Sequence, residues 1–579
     1  MNNIPRNEYP RPNFVRTDWL CLNGEWDFSF EEKALDRKII VPFACETELS
    51  GIHDSSFHKT VWYRKAFTLP QEYAGKTLLL HFGAVDYICD VWMNGTHLCH
   101  HVGGQVGFTA DVTKAVHADG ENIIEVKVFD DYSDLEMPRG KQFWEEESKS
   151  IFYTRTTGIW QTVWLEPVEP TYIENCYITP LFDERAVRFD YTLSRDVKTQ
   201  LHIVASYEGQ TAAEAIVMPT SRKGNVTLPL DQTGLQKWNF QEDLAWTPEN
   251  PRLFDVTFTL SQDGKVCDTV SSYFGMRKVS IENGKFLLNN REYYQKLVLD
   301  QGYWEESLLT APSDEAFIKD IELTKAMGFN GVRKHQKVED PRYLYHADHM
   351  GLLVWGEIGA AYLYSREYAH HSYDEWMAAV ERDYSHPCIV AWTPLNESWG
   401  VQEIRVDSFQ QAHANAMVNI TKSLDNTRPV IDNDGWEHTC GDLLTIHDYS
   451  PTKAELLRHF ADLDSILALN PGTRGMFAQG YHYQGQPILV TEFGGVRYAP
   501  NTETARSWGY CDATDADAYT VKVADLVGAL LASKLVQGYC YTQLTDVETE
   551  ENGLLTYHRE PKIPLETIKA INDGKWTAQ

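Results

Sequence analysis

The sequence lacks the marks of several large protein classes. It has no run of about 18 apolar residues, so a membrane-spanning helix is not expected. Its opening residues, MNNIPRNEYPRPNFVRTDW, have no apolar signal core. The chain therefore reads as cytoplasmic, or as one from which a signal has been removed. Basic residues are scarce: 52 Lys and Arg stand against 83 Asp and Glu, for a net charge of −31. Such a surface repels phosphate backbones and anionic lipids, which argues against nucleic acid and membrane partners. The ten cysteines include no CxxC pair, and Cys89 and Cys540 sit inside apolar runs, as reduced core thiols do. The His-rich clusters are His346 with His349, His370-His371 and His447-Asp448. None has HExxH or Cys/His ligand spacing, so no metal is assigned. Solenoid-period repeats and low-complexity segments are also missing.

Length and aromatic surface are abundant. A chain of 579 residues predicts roughly three or four domains. Its 17 Trp, 30 Tyr and 24 Phe suit both large β-rich cores and stacking against the CH faces of sugars. From about residue 18 to 167 the pattern is all-β. Short alternating runs such as KTLLLHF, YICDVWMNG and NIIEVKVFD are bounded by Gly, Asn and Asp, with a hairpin signal at Asn94-Gly95. GIWQTVWLEPVEP closes this region. AVRFDYTLS, TQLHIVASYEG and LFDVTFTLSQDG then predict a second sandwich over 168–277. From 278 to 579 the rhythm becomes helix, short loop, buried strand. DEAFIKDIELTKAMGFNGVRKH stops its helix at Gly328, and the alternation recurs through DPRYLYHADHMGLLVWGE, DEWMAAVERDYSHPCIVAWTPLNE and a long helix from about Ser408 to Asp425. That is the pattern of a parallel α/β barrel.

Two segments carry most of the chemistry. IVAWTPLNES reaches Asn396-Glu397-Ser398, and PILVTEFGG contains Glu492; each is a β-branched, apolar run that stops at a glutamate. Barrel chemistry sits at the C-terminal ends of the strands, and two glutamates on one rim could form the carboxylate pair of a glycosidase. Asn396-Glu397-Ser398 also satisfies the glycosylation sequon, but at a buried strand end rather than on a loop.

With these segments in place the chain resembles glycoside hydrolase family 2, the family of β-galactosidases, β-glucuronidases and β-mannosidases. The resemblance rests on LNGEWDF, VWYRKAF, VWMNG and TGIWQTVWLE in the first domain, on FGMRKV, MGFNGVRKH and GLLVWGE at the barrel entry, and on NESWG and TEFGG within it. It implies a jelly-roll-like β-sandwich (1–167), an immunoglobulin-like β-sandwich (168–277) and a catalytic (β/α)8 TIM barrel (278–579). It further implies that Glu397, ending strand 4, is the acid/base, that Glu492, ending strand 7, is the nucleophile, and that Asn396 bonds the sugar 2-hydroxyl. Partial burial and the charge of Glu492 are expected to keep a proton on Glu397, while Tyr449 and Arg333 are candidate donors to Glu492. No cofactor is required, since water is the second substrate; some relatives bind a peripheral Mg²⁺ or Na⁺. Family members are often dimers or tetramers, so a homo-oligomer is compatible with the resemblance.

Departures from relatives bear on the sugar. β-Glucuronidases of the family place an Asn-x-Lys pair, which captures the sugar carboxylate, where this chain has Glu550 and Asn552 in EENGLLTYHREPK. A glutamate there repels a uronate. In GYCYTQLTDVE, Tyr541, Gln543 and Asp546 replace the usual Trp run, so Gln543 is a candidate sugar ligand. His335, Glu357, His447 and Asp448, all near strand ends, are further candidates. Phe143 and Trp144, in MPRGKQFWEEESKSIFYTRTTG, either reach over the barrel mouth or pack between domains. The expected substrate is a neutral glycoside: a β-D-galactoside first, an α-L-arabinoside next. β-Glucuronidase, endo-mannanase or cellulase, metal-dependent hydrolase and non-catalytic carbohydrate-binding readings rank behind.

Overall fold

A computed structural model describes residues 4–498 and 507–577. It has the three-domain architecture expected: a jelly-roll-like β-sandwich, an immunoglobulin-like β-sandwich and a barrel. In the first domain a six-stranded antiparallel sheet (Arg37–Val41, Gly24–Phe30, Thr60–Thr68, Glu121–Phe129, Ile88–Met93, Thr96–Val102) faces a four-stranded one (Leu20–Cys21, Val163–Val168, Thr77–Phe82, Phe108–Asp111). Alternation along Glu121–Phe129 sends Ile124, Val126 and Val128 into the core, as a period of two requires. Asn94 and Gly95 turn the hairpin with φ of 50° and 78°, the left-handed pair that a two-residue turn needs. The second domain packs Ile173–Leu181, Ala186–Leu193 and Lys223–Pro229 on Gln210–Val217, Gln200–Tyr207, Phe254–Gln262 and Lys265–Phe274.

The third domain closes around seven parallel strands. Their spatial order is Ile389–Thr393, Leu353–Glu357, Gly331–Lys334, Gln295–Asp300, Val536–Thr542, Ile488–Gly494 and Leu444–His447. Helices between them follow local signals. Ser313 caps Asp314–Ala326 by accepting from the Ala316 amide, and Gly328, at φ 84°, releases the chain into the next strand. Pro341 opens Pro341–Met350 with Asp340 as its cap. The fifth barrel position is not a regular strand. Segment 429–435 fills the gap through single bridges, Trp392 to Val430 and Asn396 to Asp434. Its side chains and amides are drawn aside to brace the turn at Glu397.

The first domain is bolted to the barrel. Ala84, Tyr153 and Trp160 share one buried cluster with Tyr303, Leu308, Leu309 and Val547. Burying a tryptophan such as Trp160 there is worth at most on the order of 5 kcal/mol. Arg139 and Gly140 both donate backbone N–H bonds to the Ala360 carbonyl, at 3.1 and 3.0 Å. Gly140 has φ of 63°, and a Cβ on it would lie 2.3 Å from the Gln336 carbonyl oxygen, so only glycine permits this approach. All ten cysteines are free thiols. Among the described residues no helix is long and apolar enough to cross a membrane.

Candidate active site

Strand ends converge on one buried charge network. Arg333, from Gly331–Lys334, is wholly buried and uses all its edges. Nε donates to Glu357 at 2.8 Å, Nη1 to Glu492 at 2.9 Å, and Nη2 to Asn396 Oδ1 at 2.6 Å. Asp434 lies 2.8 Å from Nη1. Burial opposes the guanidinium charge, but Asp434, Glu357 and Glu492 hold its pKa well above the ordinary value. A planar fork with five donors suits this position, and a lysine could not reach four partners.

Glu492 receives its second donor from Tyr449, whose hydroxyl lies 2.6 Å from Oε2 and 3.0 Å from Thr542 Oγ1. Burial and the charge of Glu492 raise the Tyr449 pKa, so it remains a phenol that donates. Tyr510 stacks on it with rings 3° from parallel.

Glu397 is held differently. It and Ser398 adopt φ of 50° and 57°, a left-handed pair that costs of order 1–3 kcal/mol per residue. The irregular fifth segment holds the turn. The Glu397 amide donates to Asp434 O at 3.0 Å, the Ser398 amide to Asn433 Oδ1 at 2.8 Å, and Ser398 Oγ to Glu437 at 2.5 Å. Oε1 of Glu397 lies 2.7 Å from His447 Nδ1, while Oε2 has only a long 3.4 Å contact from Trp399 Nε1. His447 Nε2 is 3.1 Å from Asp434. Burial disfavours the imidazolium, but Glu492, Asp434 and Glu397 lift its pKa to about 10. For Glu397, burial favours the neutral acid, yet His447, with Lys141 and Arg333, brings its pKa below the usual value. Burial alone would favour a proton on Glu397, as the sequence led one to expect; the adjacent His447 acts in the opposite direction and couples the two groups. One oxygen of Glu397, one of Glu492 and a ring nitrogen of His447 all lie within 4.8 Å of one another.

A cavity of about 820 Å³ opens over this network, within the size range of ligand pockets. Trp399, Trp436, Trp508, Tyr449, Tyr510 and Ile151 contribute to its lining. Asn396 Nδ2, buried, has no hydrogen-bond partner among the described residues, while its Oδ1 is fixed by Arg333. Such an orphan donor costs about 1–3 kcal/mol until a ligand oxygen meets it.

Three family models match the chain in order: glycosyl hydrolases family 2, sugar binding domain, over residues 49–165; glycosyl hydrolases family 2 over 171–277; and glycosyl hydrolases family 2, TIM barrel domain, over 279–502. The chain belongs to glycoside hydrolase family 2. It is 26% identical over 431 residues to a β-galactosidase of Thermoanaerobacter pseudethanolicus, covering 71% of this chain but 54% of that protein, so it spans about half that relative's length. It is 23% identical to a β-glucuronidase of Rattus norvegicus, over 75% of this chain and 68% of that protein. The β-D-glucuronidase structure from Dictyoglomus thermophilum shares the fold, with a TM-score of 0.79, 19% identity and 98% of each chain covered.

Other residues singled out in this family 2 chain are placed as follows. His335 sits beside Arg333, 3.1 Å from Nη2 and 4.0 Å from Glu492. Burial, with Lys141 and Arg333, depresses its pKa far below the usual value, so the ring is neutral and Nδ1 accepts from Arg333. Glu357 lies behind Arg333; its oxygens accept from Arg333 and from the Gln336 amide at 2.8 Å, which leaves it a counterion rather than a rim residue. Asp448 lines the outer cavity and pairs with His459 at 2.7 Å. Gln543 and Asn552 are fully buried and bonded to each other at 2.7 Å, with Gln301 donating to Gln543 at 2.8 Å. Glu550 accepts from Asn552 at 3.0 Å and from the Tyr153 hydroxyl, so both its oxygens are occupied. Phe143 and Trp144 join Phe152, Tyr362 and Trp399 in an aromatic wall running from the first domain to the cavity. The sequence reading missed Asp434, Trp399, Tyr510 and Lys141. Asp434 ends RPVIDND as Glu397 ends its own run, a signal of the same kind.

Proposed function

We propose that this family 2 protein is a retaining exo-glycosidase, with Glu492 as nucleophile and Glu397 as acid/base. The observation that carries the reading is the approach of the two carboxylates within 4.8 Å. Retaining enzymes hold them about 5–5.5 Å apart, whereas inverting enzymes need about 6.5–9.5 Å to seat a water between them. In the first step a Glu492 oxygen bonds to the anomeric carbon, the glycosidic C–O bond breaks, and the leaving oxygen takes a proton. Glu397 and His447 share that proton, since imidazolium–carboxylate and imidazole–carboxylic acid are two forms of one coupled pair. In the second step water attacks the same carbon, returns a proton to the pair and releases Glu492. Asn396 Nδ2 supplies the donor for the sugar 2-hydroxyl.

The sugar proposed is neutral, β-D-galactoside first, with α-L-arabinopyranoside as its close analogue. Relatives are named both as galactosidases and as glucuronidases, so the site must decide. Glu550 and Asn552 are saturated by each other, Tyr153 and Gln543, and offer no cation to a uronate. The aromatic wall from the first domain bounds the cavity on one side, which favours cleavage from a chain end.

The test is a panel of nitrophenyl glycosides (β-galactoside, α-L-arabinopyranoside, α-L-arabinofuranoside, β-glucuronide, β-mannoside and β-glucoside) offered to wild type and Glu492→Ala, with the first-formed anomer followed by proton NMR. Turnover of one neutral glycoside with retained configuration, lost in the variant, is expected. Inversion would overturn the mechanism, and activity on glucuronide alone would overturn the choice of sugar.

A further inference from the structure

Lys141 is a buried cation without a partner. Its residue is 6% exposed, and among the described residues no carboxylate or hydrogen-bond acceptor pairs with its ammonium. Its neighbours fix it firmly. Gly140 is clamped against Gln336 and Ala360, Tyr362 donates to the Gly140 carbonyl at 2.6 Å, and the Tyr153 amide donates to the Lys141 carbonyl at 2.9 Å. The ammonium lies 6.0 Å from the centre of the Phe152 ring, in the aromatic wall. Phe152 in turn meets Trp399, with ring centres 6.3 Å apart, and Trp399 lines the cavity. Lys141, although it belongs to the first domain, therefore stands behind the cavity wall, where its charge bears on His335, Glu397 and Glu550.

An ammonium on a largely buried residue with no acceptor is costly, and Nζ, which is not sealed from solvent, remains open to a ligand oxygen. Two kinds of oxygen could do so: a carboxylate or a hydroxyl. Carboxylates surround the centre (Glu357, Asp434, Glu492, Glu397 and Glu550) against the cations Arg333, His447 and Lys141. A further anion would sit beside Glu397 and Glu550, whereas a hydroxyl adds no charge.

We infer that Lys141 is a specificity-determining residue whose ammonium donates to a hydroxyl of the non-reducing sugar, so that the first domain supplies part of the sugar site. This rests on the glycosidase reading above and deepens it. A site built to bond a hydroxyl discriminates strongly against the analogue that lacks it.

The experiment compares wild type, Lys141→Met and Lys141→Arg on nitrophenyl β-galactoside and its 3-, 4- and 6-deoxy analogues, with thermal melts and calorimetric titration of free galactose. Wild type should lose about 100-fold or more in kcat/KM at one deoxy position. Lys141→Met should be poor on the parent glycoside yet show no discrimination at that position, while keeping it at the others. Lys141→Arg should recover part of it. The Tm of Lys141→Met should be unchanged or higher, because a buried unpaired charge has been removed; a purely structural lysine would lower it. Unchanged discrimination at every position overturns the inference, as does wild-type preference for a uronide that Lys141→Met abolishes. If wild type turns over nothing, the glycosidase reading fails separately. Galactose binding that weakens in Lys141→Met would then still support the lysine's role, and binding that is absent or unaltered would overturn it.

Discussion

Glu397 and Glu492 are chemically identical side chains a few ångströms apart in opposite settings. Glu492 lies within a regular strand, with both oxygens held by short bonds from Arg333 and Tyr449. Glu397 sits on a strained left-handed turn, with one oxygen on a titrating histidine and the other only loosely touched by Trp399. On the mechanism proposed above, the contrast teaches a division of labour: a locked carboxylate suits bond formation, and a loosely held one coupled to an imidazole suits proton exchange.

The comparison can be broken in four ways. Glu492→Ala should cost most, about 10⁴-fold or more in kcat as for a nucleophile within a cooperative unit, with partial rescue by azide or formate. Glu397→Ala should cost about 10²–10⁴-fold on alkyl glycosides but much less on nitrophenyl glycosides, whose leaving groups need no proton. Equal losses on both substrate types would erase the distinction between the two glutamates.

His447→Gln should act through pH. In wild type the Glu397–His447 pair keeps its proton until pH approaches the histidine's value of about 10. Without the imidazole only the carboxyl holds a proton, so the alkaline limb of kcat should move to lower pH. Stability should follow the same group. A pKa raised from about 6.5 stabilises the fold fully below that pH, and the contribution is lost as pH rises through about 10. The urea midpoint of wild type should therefore fall between pH 7 and 10 more steeply than that of His447→Gln. The smallest effect is expected from Glu550→Asn with Asn552→Lys, which should raise any glucuronide hydrolysis severalfold from its baseline; no gain would mean that saturation of that pair does not set sugar choice.

The sequence made legible those parts of the site whose residues end regular strands. Glu397, Glu492, Asn396, Arg333 and Tyr449 follow short apolar runs that could only be buried strands, and all five meet in space. Glu357 carried the same signal yet turns inward, because Arg333, wholly buried, needs an anion at its Nε edge, and no local pattern reports that need. Gln543 and Asn552 likewise satisfy each other. Asp434 ends a run of the same kind, RPVIDND, but only Val430 and Ile431 are apolar in it, so the run is too short to stand out as a strand. Lys141 was out of reach for a different reason: it lies in a loop of a separate domain, and only the glycine contact at Gly140 brings it to the barrel. The loop MPRGKQFWEEESKSIFYTRTTG contains it, but the aromatic residues beside it carry the stronger signal.

The bond from Tyr153 to Glu550 joins residues 397 positions apart. A ribosome delivers the first domain before the Glu550 loop, so the sandwich domains can fold while the groups contributed by the barrel are still unmade. The wall shared by the two domains is therefore a product of docking rather than of either domain alone, and it closes only when the barrel segment carrying Glu550 meets Tyr153.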